Sequence, residues 1–264
     1  MNLEDCITPD FTCFYGGVDL NTIPYFFAVE RFPNVSPDIN LQTAPLIRQH
    51  GQVLINRLFT KKTIPVNGVI IAPNRQAYEQ CFDLLKQTVL SQMQQPLVLL
   101  QSGVSRQYTA TVAELDETFV EAGKSIITIN FECEDPFGYD AVAITESHSG
   151  VTTSPYAFST VFDSSIQVEP VFEVVINSLT DGTNKLITVG NSLSTKLIGV
   201  RRTWVANDQL VVDCQNKNVT VNGLAIDYTG WFAEFDPETA NAVYSDTFTT
   251  RNVTLILSYM KKYL

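Results

Sequence analysis

The sequence predicts a mainly β chain, with a sheet domain carrying one helix followed by a β-sandwich. Three observations lead there. Apolar residues alternate with polar ones over several segments, Asn-Gly dipeptides separate β-rich runs, and a single stretch shows helical spacing.

The alternation is clearest where Ile127, Ile129, Phe131 and Cys133 interleave with Ile126, Thr128, Asn130 and Glu132. Leu210, Val212 and Cys214 repeat the pattern, as do Val253, Leu255, Leu257 and Tyr259. A strand points successive side chains to opposite faces, so each segment reads as a strand with one buried face. Asn67-Gly68, between Pro65-Val66 and Val69-Ile70-Ile71, predicts a tight hairpin. Asn222-Gly223, between Val219-Thr220-Val221 and Leu224-Ala225-Ile226, predicts another, because both residues tolerate positive φ. From Asn74 to about Ser91, Ala77, Tyr78, Cys81, Phe82, Leu85 and Val89 recur at helical spacing. Asn74 is the expected cap and Pro96 lies beyond the end. The helix reads as a cover for a sheet, with no chemistry of its own.

A boundary is expected at Glu134-Asp135-Pro136-Phe137-Gly138-Tyr139, giving domains 1–136 and 137–264. Glu146 to Pro155 is small, polar and weakly periodic, and predicts a loop or linker. Short strands with spaced turn signals after residue 160 predict the sandwich.

Composition excludes several function classes. Of 264 residues, 45% are hydrophobic, which excludes wholesale disorder. The net charge of −11 leaves no basic excess for binding nucleic acid through phosphates. No apolar window reaches the length of a membrane helix, and the N-terminus lacks a signal peptide's basic start, so a soluble, unsecreted protein without membrane insertion is expected. The cysteines, Cys6, Cys13, Cys81, Cys133 and Cys214, are odd in number and never spaced CxxC. Reduced, packing cysteines are expected, with neither disulfide framework nor zinc cage. Without a secretion signal, the glycosylation sequons at Asn34, Asn218 and Asn252 carry no weight.

No phosphate-binding glycine loop, zinc-protease motif, nucleophile elbow or EF-hand loop is present. His50, before Gly51, reads as a turn residue, and His148, in Ser147-His148-Ser149-Gly150, as a solvated loop residue unsuited to a base that must be held. Carboxylates Glu132, Glu134 and Asp135, or Asp213 and Asp227, could form a hydrolytic pair, but alternation places Glu132 and Glu134 on a solvated strand face. The second half is rich in aromatics: Trp204, Tyr228, Trp231, Phe232 and Tyr244. They either fill the sandwich core, as Phe172 does, or expose a platform, with Trp204, Trp231 and Tyr228 as candidate carbohydrate or partner contacts.

Taken together, these features resemble the distal tail (Dit-type) proteins of long-tailed siphophages. The resemblance runs through Phe14-Tyr15-Gly16-Gly17-Val18-Asp19-Leu20, Gly51-Gln52, Ile64 to Ile70, Phe82-Asp83-Leu84-Leu85-Lys86, Arg106-Gln107-Tyr108 and Ile127 to Phe137. Trp204 to Leu210 and Val221-Asn222-Gly223-Leu224 continue it in the second half. One departure is His50-Gly51, where a basic residue and a glycine are expected.

The resemblance implies a non-enzymatic virion protein at the tail tip, assembled in the host cytoplasm, without cofactor or metal. It implies a split-barrel-like belt domain that closes a homo-hexameric ring, plus a galectin-like β-sandwich. Implied partners are the tail tube protein, the tail hub and receptor-binding or side-fibre proteins. Viral DNA would pass through the channel without specific binding. Low charge content suits a surface committed to partners, since interface cores are depleted in Lys, Glu and Asp. An acidic wall would let DNA slide without sticking. The alternative is a carbohydrate-binding module that recognises host-surface polysaccharide.

Overall fold

The computed structural model describes residues 11–31, 36–45, 52–91 and 93–264. Cys6, Asn34 and the His50-Gly51 turn lie outside the described residues. The chain is mainly β with one helix, and it divides into two compact units, Met1–Ala141 with Leu264, and Val142–Tyr263.

The N-terminal unit contains β1 (Phe11–Tyr15), β2 (Val18–Asp19), β3 (Phe26–Arg31), β4 (Ile39–Pro45), β5 (Gln52–Phe59) and β6 (Lys62–Ile71). Helix α1 (Arg75–Leu90) follows, then β7 (Gln95–Gln101), β8 (Val104–Glu121), β9 (Lys124–Cys133) and β10 (Gly138–Tyr139). The main sheet runs β2-β1-β7-β8-β9-β6-β3, with antiparallel neighbours throughout. Among the described residues, β4 and β5 pair only with each other.

Burial along β9 alternates over its whole length, as its sequence requires. Helix α1 starts where expected, with the Asn74 side chain accepting a hydrogen bond from the Ala77 amide at 2.9 Å. It buries Tyr78, Cys81, Leu85 and Val89 in a core that includes Tyr15, Ile127 and Phe131.

The Asn67-Gly68 hairpin is not there. β6 runs unbroken through both residues, pairing with β9 from Lys62↔Cys133 to Ile71↔Lys124. Gly68 is a contact residue: a Cβ there would lie 2.5 Å from the ring of Phe26, which is fully buried. The glycine admits a neighbour's ring on a flat strand, the other reason for glycine in a sheet.

The C-terminal unit contains β11 (Ile144–Val151), β12 (Tyr156–Phe162), β13 (Val171–Thr180), β14 (Lys185–Asn191), β15 (Lys196–Arg202) and β16 (Gln209–Asp213). Then come β17 (Asn218–Val221), β18 (Leu224–Ala225), β19 (Thr229–Gly230), β20 (Glu238–Asp246), β21 (Thr250–Tyr259) and β22 (Lys262–Tyr263). Two sheets, β11-β21-β13-β16-β17-β18 and β12-β20-β14-β15-β19, contribute to one core. The second Asn-Gly does turn the chain: Asn222 and Gly223 have φ of 52° and 77° between β17 and β18.

Residues 146–151, read from sequence as loop, belong to strand β11, paired with β21. An edge strand exposed to water needs no apolar alternation, so Ser147, His148, Ser149 and Gly150 gave no periodic signal. The connection after it is pinned to β20: Ser154 Oγ donates to the Asp246 carbonyl at 3.1 Å, and the Asp246 amide donates back at 2.8 Å. The buried Asp246 carboxylate accepts hydrogen bonds from Tyr244, Phe248 and Arg251. Such a fully satisfied acid tolerates burial.

Candidate assembly surfaces

Three of the carboxylates weighed for a hydrolytic pair, Glu132, Asp135 and Asp213, are engaged in structural contacts. Glu132 pairs with Lys61 at 3.0 Å on the outer face of β9. Asp135 accepts from the Tyr139 hydroxyl at 2.6 Å, and Asp213 caps a turn through the Asn216 amide. His148 is held on its strand rather than free in a loop. Its ring contacts Glu146 at 2.8 Å and the Tyr156 hydroxyl at 3.2 Å, and packs 4.3 Å from the Phe158 ring centre. Among the described residues, no group of three His, Cys, Asp or Glu could hold a metal, and no helix is long and apolar enough to cross a membrane. Cys13, Cys81, Cys133 and Cys214 are buried free thiols. Burial pushes Cys81 up to about 11 and Cys133 and Cys214 up to about 12, far from nucleophilic ionisation.

The three aromatic candidates separate. Trp204 follows the core alternative: it is 1% exposed and its Nε1–H donates to the Lys185 carbonyl at 3.0 Å. Trp231 is 77% exposed and Tyr228 41%. Their segment links β18 to β15 through β19, with the Trp231 amide on the Leu197 carbonyl at 3.0 Å and Tyr228 edge-on to Phe232 at 5.2 Å.

Three surfaces of the N-terminal unit went unnamed at the sequence level. The first is the β4–β5 ribbon. The pairing Ile39↔Phe59, Leu41↔Arg57 and Thr43↔Leu54 places Ile39, Leu41 and Leu54 on one face, and a bulge leaves Ile55 unpaired. Ile39, Leu41, Leu54, Ile55 and Leu58 are all large, apolar and exposed. The ribbon is fastened at its base by Asp38 and Lys61: the Asp38 amide donates to the Lys61 carbonyl at 2.8 Å, and the Thr60 amide to the Asp38 carbonyl at 2.9 Å. A two-stranded ribbon without a covering layer is marginal in water by itself.

The second surface is the face of β6, β9 and β8 turned away from the core. It carries Thr63, Asn67, Thr128, Asn130 and Thr118, with the acids Glu114, Asp116, Glu121 and Glu132 against the cations Lys61 and Lys124. Thr128 donates to Asn67 at 3.0 Å and Asn130 to Glu114 at 3.1 Å. A hydrogen bond from Lys124, then its charge, holds the Glu121 carboxyl below its ordinary value.

The third is a groove of about 540 Å³ between the first turns of α1 and the β8–β9 turn. Tyr78, Phe82 and Phe119 line it, with Arg75, Glu79, Lys86 and Glu117. Phe119 is 67% exposed. The Tyr78 hydroxyl donates to the Glu117 carboxylate and meets Ser125 Oγ at 2.8 Å. Burial, then the bond to Glu117, pushes this phenol up to about 12, so it stays a donor at neutral pH. Lys86 lies over the Phe82 ring at 4.0 Å and Arg75 pairs with Glu79 at 3.5 Å.

Residues 163–263 match the family model described as the siphovirus-type tail component, C-terminal domain. The distal tail protein of Bacillus phage SPP1 is 24% identical over 226 residues, covering 84% of this chain and 85% of that protein. The crystal structure of SPP1 Dit superposes with a TM-score of 0.74 at 17% identity, over 96% of this chain and 99% of that one. A chain of the phage p2 baseplate aligns with a TM-score of only 0.41 at 8% identity, over 93% of this chain and 97% of that one, too low to carry an argument. The chain is thus similar to the siphovirus distal tail proteins: it shares the SPP1 Dit fold along nearly its whole length, and most of its second unit matches the tail-component model.

Proposed function

We propose that this protein is a structural component of the siphophage tail tip, closing a six-copy ring between the tail tube and the baseplate hub. The observation that carries the reading is the β4–β5 ribbon, a pair of strands with no covering layer among the described residues, which leaves Ile39, Leu41, Leu54 and Ile55 in water. Contiguous exposed apolar surface of this kind marks an interface. A ring needs a heterologous contact, in which one patch of a copy meets a different patch of the next.

Residues 1–136 serve as the belt of that ring and residues 137–264 as the galectin-like sandwich. The outer face of β6, β9 and β8 suits a channel wall. Threonine and asparagine offer neutral hydrogen bonds, and the acidic excess repels phosphate, so DNA passes without specific binding. The SPP1 relative is described as a hub of the adsorption apparatus of phages infecting Gram-positive bacteria. By analogy, the partners here are the tail tube protein, the tail hub and receptor-binding or side-fibre proteins. The test is negative-stain imaging of the purified full chain, alone and with a tail neighbour. Six-fold annular particles with a hole wide enough for duplex DNA are expected; a monomer under all conditions, or a particle without an opening, would remove the reading.

A second reading is favoured by one observation only, the exposure of Trp231 beside Tyr228. An exposed indole can stack on the apolar face of a sugar ring. In that reading the C-terminal unit adsorbs host-surface polysaccharide, and loss of glycan binding on Trp231→Ala is its signature.

A further inference from the structure

We infer that the apolar face of the β4–β5 ribbon docks into the α1/β8–β9 groove of a second copy of this chain, making the heterologous contact that closes the ring. The inference rests on the ring reading above and names its two surfaces.

Both surfaces are incomplete in the same way. The ribbon shows Ile39, Leu41, Leu54 and Ile55 to water, while the groove shows Phe119 beside the half-buried Phe82. One is a narrow strip two strands wide and the other a concavity, so they are complementary in form as well as polarity. They also lie at opposite ends of one strand. The ribbon enters β6 at Lys62, whereas the groove borders Gly123, which faces Ala72 just past Ile71. Ten strand residues span about 30 Å. That separation makes contact between copies the natural way to join them.

Charge points to the same occupant. Arg57 is the one charged residue in β4 and β5, and it lies over the Phe59 ring at 4.8 Å with no carboxylate partner among the described ion pairs. In the groove, Arg75 is taken by Glu79 and Lys86 by the Phe82 ring, whereas no cation pairs with Glu117 among the described residues. A guanidinium entering beside Glu117 would match charge across a contact between molecules that are each −11 overall. Two different patches meeting in this way propagate in one direction and close when the rotation allows.

The experiment is intermolecular disulfide trapping in the full chain. Ile55→Cys and Phe119→Cys are made in separate chains, mixed and oxidised, with the parent chain controlling for native thiols. A covalent dimer many-fold above either variant alone is expected from the mixture. Chains carrying both changes should give a ladder of larger products. Arg57→Glu should lower the assembled fraction several-fold, and adding Glu117→Arg should restore it. Annular particles without the mixed crosslink would overturn the ribbon–groove contact and leave the ring intact. Self-crosslinking of each single variant equal to the mixture would replace it with a face-to-face contact. A chain that stays monomeric would instead remove the ring reading itself.

Discussion

Both units close a core and leave large apolar side chains in water, but they distribute the exposed ones differently. The N-terminal unit gathers Ile39, Leu41, Leu54 and Ile55 on one ribbon, whereas Val161, Leu193, Val205, Leu224 and Trp231 of the C-terminal unit lie on or between separate strands. The C-terminal unit draws Trp204, Phe162, Phe235 and Tyr244 into one core between its sheets, each 1% exposed or less. The N-terminal unit has an equally closed core behind α1, yet leaves Leu41, Leu54, Ile55 and Phe119 each more than half exposed. A sandwich covers the inner faces of both its sheets, so its stability is internal. The β4–β5 ribbon has no second layer among the described residues, so its apolar side chains add little to the unit's own core. On the proposed ring reading, the difference separates residues that hold a unit together from residues that hold copies together.

The largest expected effect lies on the sandwich side of that contrast. Trp204→Ala removes a buried indole, its hydrogen bond to the Lys185 carbonyl and its contact with Arg202, whose guanidinium lies 5.3 Å from the ring. Chemical denaturation should show a loss of about 3–5 kcal/mol. Ile55→Ala should change monomer stability by no more than about 0.5 kcal/mol, while sharply reducing assembly. Equal losses from both changes would erase the distinction.

Next comes Gly68. Its Cβ position is occupied by the Phe26 ring at 2.5 Å and approached by the Phe27 carbonyl at 3.1 Å. Gly68→Ala should cost about 1–3 kcal/mol through overpacking. If the residue served a turn instead, a variant such as Gly68→Asn would be tolerated, so the pair of measurements separates the two roles.

This position also shows what was legible in the sequence. Period-two runs located β9, β16 and β21 because one face of each meets a core, and helical spacing located α1 for the same reason. Local chemistry could not distinguish Asn67-Gly68 from Asn222-Gly223, since the difference is whether a distant ring lies against the glycine. β11 was silent because most of its side chains meet water. The ribbon did alternate, with Ile39 and Leu41 around Asn40, but alternation reports a face to be covered and not what covers it. Trp204 and Trp231 are chemically identical in sequence, and only the tertiary fold divides a core indole from an exposed one.

A smaller effect is a pH dependence within the C-terminal unit. Burial raises the Glu169 carboxyl, but Lys262, donating at 2.6 Å, and then Lys217 at 3.2 Å outweigh it and hold it below its ordinary 4.5. A carboxyl depressed in the folded state contributes stability above its unfolded pKa and loses it as pH falls through the folded value. Denaturation midpoints should therefore fall below pH 4.5, and Glu169→Gln should flatten that fall while lowering stability at neutral pH. An unchanged acid limb in the variant would assign the sensitivity to other acids.

The smallest effect belongs to Trp231, and it tests the contrast within a single unit. At 77% exposure its ring contributes little to the core, so Trp231→Ala should leave stability within about 0.5 kcal/mol of the parent chain. Because the sequence has two tryptophans, each can be read in the other's absence. Trp204→Phe leaves an emission that iodide quenches strongly, whereas Trp231→Phe leaves one that iodide barely reaches. If assembly protects Trp231 from iodide, the exposed indole belongs to an interface between proteins. If it stays quenchable in the assembled ring and becomes protected by host-wall glycan, the sugar platform is the better account, because only a ligand arriving from outside could cover a ring that assembly leaves open.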